Sequence, residues 1–145
     1  MGGHSPISID ELKKASQKRE IDFVTLNESK HEIQFLKFMS LEGEIWDDYL
    51  FERDLEVNLM QTARLIVALG AMSGDKHMFL DVDQLPKSPN ERMVYTLESS
   101  LEVSKLFSKE DVKQLCNAIS DFNRLGFRLT VKGQNNEDAD EKKPD

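Results

Sequence analysis

Residues 54–85 read DLEVNLMQTARLIVALGAMSGDKHMFLDVDQL, and this stretch decides the fold. Leu55, Leu59, Met60, Ala63, Ile66 and Val67 recur at the three-to-four spacing of a helix with one buried stripe. From Leu65 to Met72 the chain is apolar almost all the way round, which predicts a helix enclosed by others. That run is far shorter than the ~18–20 apolar residues that cross a bilayer, so it reads as a core helix. Ser73-Gly74-Asp75-Lys76 then reads as a turn and Met78-Phe79-Leu80 as a short extended piece. Asp81-Val82-Asp83 follows, and Leu85 and Pro86 close the unit.

Upstream, Ser8 and Glu11 have capping-box spacing, which predicts a short helix over residues 9–17 that must dock on something larger. Residues 20–26 alternate, with Ile21, Phe23 and Thr25 set against Asp22 and Val24. Asn27-Glu28-Ser29-Lys30 is turn material, and residues 31–39 alternate again through Ile33, Phe35 and Lys37. Two alternating segments across a short polar turn predict a β-hairpin at about 20–39. An isolated hairpin is marginal in water, so it needs a helix or a neighbouring subunit to cover it.

Residues 41–53 return to helical spacing. Leu41, Ile45 and Tyr49 share one side, Trp46 and Leu50 widen it to nearly half the circumference, and Phe51 points elsewhere. The extra aromatics either cover the hairpin or face a partner, Trp and Tyr being common interface anchors.

Downstream, Ser88-Pro89-Asn90-Glu91 is a strong helix start, with Ser88 as cap and Pro89 at the first helical position. That helix is expected to reach Phe107, with Met93, Leu97 and Leu101 inward and Val94 beside them. Ser108 opens a last helix to about Arg124, striped by Val112, Leu115, Ile119 and Phe122, with Gly126 placed as its C-terminal cap. After Thr130 the chain turns polar and mainly acidic, which predicts a disordered tail over 131–145. The expected architecture is mainly α (α+β): one domain over 8–130, a bundle of four to five helices with an N-terminal hairpin, preceded by a loose N-terminus at 1–7.

Composition limits the function. With 145 residues, 39% hydrophobic and 32% charged, the chain can build one sizeable core beneath a polar surface. A net charge of −8 disfavours a nucleic-acid backbone as partner. Lys13, Lys14, Lys18 and Arg19 form the best basic cluster, and a solvated helix end is the simpler reading of it. The single cysteine, Cys116, excludes an internal disulfide and a cysteine-based zinc site within one chain, and its setting in a helical pattern suits a small buried hydrophobe. No charged-then-apolar signal opens the chain, and Pro6 breaks the resemblance of its start to a myristoylation motif, so a cytoplasmic protein is expected.

Catalytic chemistry finds little support. His4, His31 and His77 show no metal-binding spacing, and Asp75, Asp81 and Asp83 do not follow a calcium loop; turn and cap formation is their simpler role. Glu42/Glu44 and Asp47/Asp48 lie too close along a helix to converge. No phosphate-cradling glycine loop occurs, and no serine or cysteine has an identifiable base. A non-enzymatic protein is expected, without cofactor or metal.

The order of features resembles the tail assembly chaperones of long-tailed (siphovirus-like) bacteriophages. The resemblance is carried by Ala63-Arg64-Leu65-Ile66-Val67-Ala68-Leu69, then Ser73-Gly74-Asp75, Met78-Phe79 and Asp81-Val82-Asp83-Gln84-Leu85. The spacer Pro86-Lys87-Ser88-Pro89 and a helix with Leu97 and Leu101 before Phe107 continue it, so the similarity spans residues 7–127. It implies an assembly factor in the cytoplasm of the infected host that solubilises the tape-measure protein and brings tail-tube subunits to it. Such a factor is absent from the finished virion. The resemblance further implies a longer form made by ribosomal frameshifting, to which the polar tail would be the linker and through which the major tail protein would be recruited. No membrane or nucleic-acid partner is implied.

A client with long apolar helical faces requires more apolar surface than the chaperone's own core uses. Trp46, Leu50, Phe51, Tyr95, Leu106 and Phe127 are the candidates for partner binding or self-association, ordinary core packing being the alternative for each. Head-to-tail contacts would give an open spiral. Two other readings stay open: an acidic, self-associating helical adaptor or regulatory protein with an unrelated client, and an enzyme whose Asp and Glu meet a divalent metal only between subunits.

Overall fold

The computed structural model describes residues 8–11, 19–52 and 58–131. The chain first forms strands β1 (Ile21–Thr25) and β2 (Glu32–Leu36), then helices α1 (Ser40–Glu52) and α2 (Leu59–Gly70). Two-residue strands β3 (Met72–Ser73) and β4 (Lys76–His77) and a 3-10 turn (Val82–Gln84) lead into helices α3 (Pro89–Ser100), α4 (Val103–Leu106) and α5 (Lys109–Asn123). The fold is mainly helical, with five helices and an N-terminal antiparallel hairpin among the described residues.

α2 is the centre. Every residue from Leu65 to Gly70 is buried, because α5 and α3 pack along the helix while α1 and α4 also touch it. At the α2–α5 crossing a Cβ on Gly70 would stand 2.6 Å from Ile119 Cγ2, so only glycine lets the two helices approach this closely.

The helix stops at Gly70, earlier than the apolar run to Met72 suggests. Ala71 turns extended and bridges Phe35 of β2, and Met72 pairs with His77 across the Gly74-Asp75 turn, Gly74 supplying φ +65°. Burial on all sides looks the same in a helix and in a covered strand, so periodicity alone could not place this boundary. Downstream, Asp81 caps the 3-10 turn, its carboxylate accepting the Asp83 N–H at 3.1 Å.

The hairpin pairs Ile21 with Leu36, Phe23 with Gln34 and Val24 with Ile33. Leu26, Ile33 and Phe35 are buried and Val24 packs against them, whereas Ile21 and Phe23 face outward and are about half exposed. The outer face of β1 is therefore the one that carries Ile21 and Phe23. Leu26, fully buried at the strand's end, fixes this parity, since side chains alternate with period two.

α5 fastens both ends of the hairpin. At the tip the Asp111 carboxylate accepts the N–H groups of Glu28 (3.2 Å) and Ser29 (3.0 Å). Gln114 accepts the Asn27 N–H at 2.8 Å and donates to the Thr25 carbonyl at 3.2 Å. Ser108 caps the helix, accepting the Asp111 N–H, and its hydroxyl donates to Glu28 Oε1 at 2.6 Å. At the far end Asn123 accepts the Phe38 N–H at 2.6 Å and donates to the Leu36 carbonyl at 3.1 Å.

Several boundaries differ from the sequence reading. The helix expected to reach Phe107 ends at Ser100, whose hydroxyl donates to the Leu97 carbonyl at 2.6 Å, and the chain resumes as α4 at Val103. Met93, Thr96, Ser100 and Val103 are its buried positions, Leu97 is half-buried, and Val94 and Leu101 face outward. The small hydroxyl residues Thr96 and Ser100 take buried positions on this helix, and they carry no hydrophobic signal. Ser88 makes no side-chain cap bond, whereas Ser8 and Glu11 form the reciprocal capping box at 2.9 and 3.0 Å.

The left-handed cap of α5 is Arg124 (φ 55°), with Gly126 (φ 80°) two residues further on. From there the chain runs back along α5 in extended form. The Asn117 amide pairs with Leu129 N–H and C=O at 2.8 and 2.7 Å, and Phe127 and Val131 are buried. The packed region thus extends to Val131, one position past the expected edge of the tail. Residues 1–7, residues 12–18 with the rest of the helix expected at 9–17, residues 53–57 with Leu55, and the tail from 132 lie outside the described residues.

Candidate functional site

The six residues singled out for partner contact separate by burial. Trp46, 5% exposed, stacks on Tyr49 with ring centroids 6.0 Å apart, and Phe127 is buried by the returning segment. Both lie in the core, the alternative left open for each of them. Tyr95 is half-buried, its hydroxyl accepting the Asp81 N–H at 3.3 Å. Leu50 and Leu106 are exposed, and Phe51 at the end of α1 is 88% exposed. The width of the apolar face on α1 is thereby explained. Ile45, Trp46 and Tyr49 turn inward, and Phe51 lies outside the contact.

Further apolar side chains join this outer set. Val94 on α3 and Leu101 just past its end are exposed, and so is Leu59, which opens α2. In sequence these look inward because helical spacing shows which residues share a side, not whether a neighbour covers that side.

A charged cluster went unnoticed in the sequence. Glu42, with no exposed surface, accepts from Arg19 Nη1 and His77 Nε2, each at 2.7 Å to Oε2, while its Oε1 accepts the Met39 N–H at 2.9 Å. One carboxylate thus ties the entry to β1, the start of α1 and strand β4. The sequence signal was incomplete because Glu42 occupies the third helical position of a capping box whose cap residue is Met39 rather than Ser or Thr. Arg19, counted with the basic cluster, is turned onto Glu42, while Lys13, Lys14 and Lys18 lie outside the described residues.

Burial would raise the Glu42 pKa, but the His77 and Arg19 hydrogen bonds and the Met39 N–H outweigh it and hold the group at about 2, against an ordinary 4.5. A carboxylate depressed on folding contributes stability that is fully present above its unfolded pKa and is lost as pH falls through the folded one. Urea titrations should therefore show a stability loss between about pH 4.5 and 2 that Glu42→Gln removes.

Glu44 and Asp48, one turn apart on α1, both receive Arg92 of α3, at 3.4 and 3.0 Å. These carboxylates hold two helices together, and Glu42 on the same helix faces the other way. Among the described residues no group of three or more His, Cys, Asp and Glu side chains is placed to hold a metal ion. Cys116 is fully buried, and that burial pushes its thiol up, away from reactive thiolate character.

Two surface grooves stand out. One of about 510 Å³ is lined by residues 75–77 and 80–83, and its acidic rim is formed by Asp75, Asp81 and Asp83. The other, about 450 Å³, is lined by Leu59, Met60, Leu129 and Thr130 together with Lys109, Lys113 and Arg128. No described helix is long and apolar enough to cross a membrane.

Comparisons with family profiles, characterised proteins and solved structures found no match.

Proposed function

We propose that this chain is a tail assembly chaperone of the long-tailed phage kind, which binds the apolar helical tape-measure protein and keeps it soluble. The observation that carries the reading is the set of large apolar side chains left outside a well-filled core: Leu50 and Phe51 on α1, Val94 on α3, Leu101 just past its end, and Leu106 on α4. Three of the helices that surround α2 offer such residues. An amphipathic client helix can exchange its water-exposed stripe for contact with them, as in helix-in-groove recognition. The resemblance through residues 63–85 supports the same reading, since that segment forms the central helix and the turn that closes it.

The proposed setting is the host cytoplasm during tail assembly, with self-association and recruitment of tube subunits through a frameshifted longer form. The competing adaptor reading shares the surface but not the client.

Phe51→Asp and Leu106→Asp separate surface from core. Both positions are exposed, so each variant should keep the parent's thermal midpoint while the co-expressed tape-measure protein recovered with it falls at least several-fold. Unchanged recovery with both variants would remove these residues from the proposal. Association with a different client and none with the tape-measure protein would favour the adaptor.

A further inference from the structure

We propose that copies of this chain join through two unlike grooves: the groove of residues 75–77 and 80–83 on one copy receives the groove of Lys109, Lys113 and Arg128 on the next. The two are opposite in charge and alike in build. Among its described lining residues the first sets three exposed aspartates, Asp75, Asp81 and Asp83, against Lys76, and it includes Val82, nearly half exposed. The second has three cations and no carboxylate among its described lining residues, and it includes Leu59, also nearly half exposed. Lys113 meets Glu110 and Arg128 meets Asp121, yet lysine carries three donors and arginine five, so capacity for a further carboxylate remains. Lys109 is exposed at the start of α5.

Charge and placement both favour a second copy as the occupant. In a chain of net charge −8 most pairings of two surfaces repel, and seating the acidic groove on the cationic one turns that repulsion into attraction. A two-fold axis through either groove would instead set like charges against each other. Residues 75–83 follow the C-terminal end of α2, whereas Leu59 and Met60 lie in its first turn. The 12 residues of α2, at a rise of about 1.5 Å each, separate the two grooves by about 18 Å along the helix. A contact that uses one groove of a copy leaves its other groove open, so the same contact repeats from copy to copy.

Exposed ion pairs hold weakly and salt screens them, so the charges choose which surfaces meet while Val82 and Leu59 leave water at the contact. This contact specifies the self-association in the proposed function and rests on that part of it. No client takes part, so a chain that associates in this way yet leaves the tape-measure protein insoluble separates the two.

Sedimentation velocity of the purified full chain, without client, is the test. At low salt the average mass should rise with concentration beyond that of a dimer, and at high salt it should fall toward the 16.7 kDa of one copy. Asp75→Lys with Asp83→Lys should leave monomers at low salt, although this pair lessens the net negative charge. Lys109→Glu with Arg128→Glu should do the same. All four positions are exposed, so both variants should keep the parent's thermal midpoint. Mixed in equal amounts, the two variants should associate again, since each then offers the charge that the other lacks. A misfolded variant would not be rescued in this way. The proposal is overturned if the parent stays monomeric at low salt, if its mass levels off at a dimer, or if either variant alone associates as the parent does. Two folded variants that stay monomeric when mixed would overturn it as well.

Discussion

Replacing Glu42 with alanine lowers the unfolding free energy by about 3 kcal/mol, roughly a hundredfold fall in the folded-to-unfolded ratio. The figure follows from what the change leaves behind. The carboxylate is fully buried and satisfies a guanidinium, an imidazole and a helix-start N–H at once. Breaking a buried pair from one side costs about 3–5 kcal/mol because the other charge stays desolvated. The lower end applies here, since the Arg19 side chain is 29% exposed and can turn to water, and an imidazole has a neutral form. Glu42→Gln keeps an acceptor for Met39 and should lose less. Equilibrium urea unfolding of the two variants, with His77→Ala and the double variant, gives the coupling directly. Additive losses would show that Glu42 and His77 act independently, against the geometry.

Asp111→Ala should cost about as much, and its loss should be localised. Asp111 is 1% exposed and its carboxylate accepts two hairpin N–H groups, at Glu28 and Ser29. Each hydrogen bond to a charged acceptor is worth about 1.5–3 kcal/mol, and the first turn of α5 also loses a favourable negative charge. A total near 3 kcal/mol is expected, with Asp111→Asn intermediate because its amide offers one acceptor oxygen. Hydrogen exchange is the sharper readout. The Glu28 and Ser29 amides should lose protection beyond the global change, while those of α2 follow global stability alone. Equal loss everywhere would mean the tip is held by other contacts.

The elements most legible in the sequence were those whose residues signal locally. Ile33 and Phe35 on an alternating strand, the Ser8–Glu11 capping box and the Val112–Leu115–Ile119 stripe depend on near neighbours, and all lie as the spacing implies. What escaped depends on distant packing. Helix α2 stops at Gly70 because Phe35 of β2 offers Ala71 a bridge, and nothing between residues 65 and 72 records that partner. α3 turns Thr96 and Ser100 inward, while Val94 on the same helix and Leu101 just past its end face outward, and small hydroxyl residues carry no hydrophobic signal for that choice.

The charged cluster shows the same limit. Arg19, Glu42 and His77 are far apart in sequence and only the fold brings them together, although a Glu three positions after the helix cap was a local hint. Burial of Trp46 was likewise hidden, because a wide apolar face on α1 fits both a thick core and a partner. Leu50, Phe51 and Leu106 were visible as candidates and are exposed.

The central claim concerns a client, and one co-expression measurement bears on it most directly. This chain and the tape-measure protein of the same genome are produced together and apart, and the soluble fraction of the latter is quantified and sized. The account predicts that the tape-measure protein is insoluble alone, becomes soluble with this chain, and elutes with it as a large assembly. A tape-measure protein that stays insoluble in the presence of both this chain and its frameshift-extended form would contradict it.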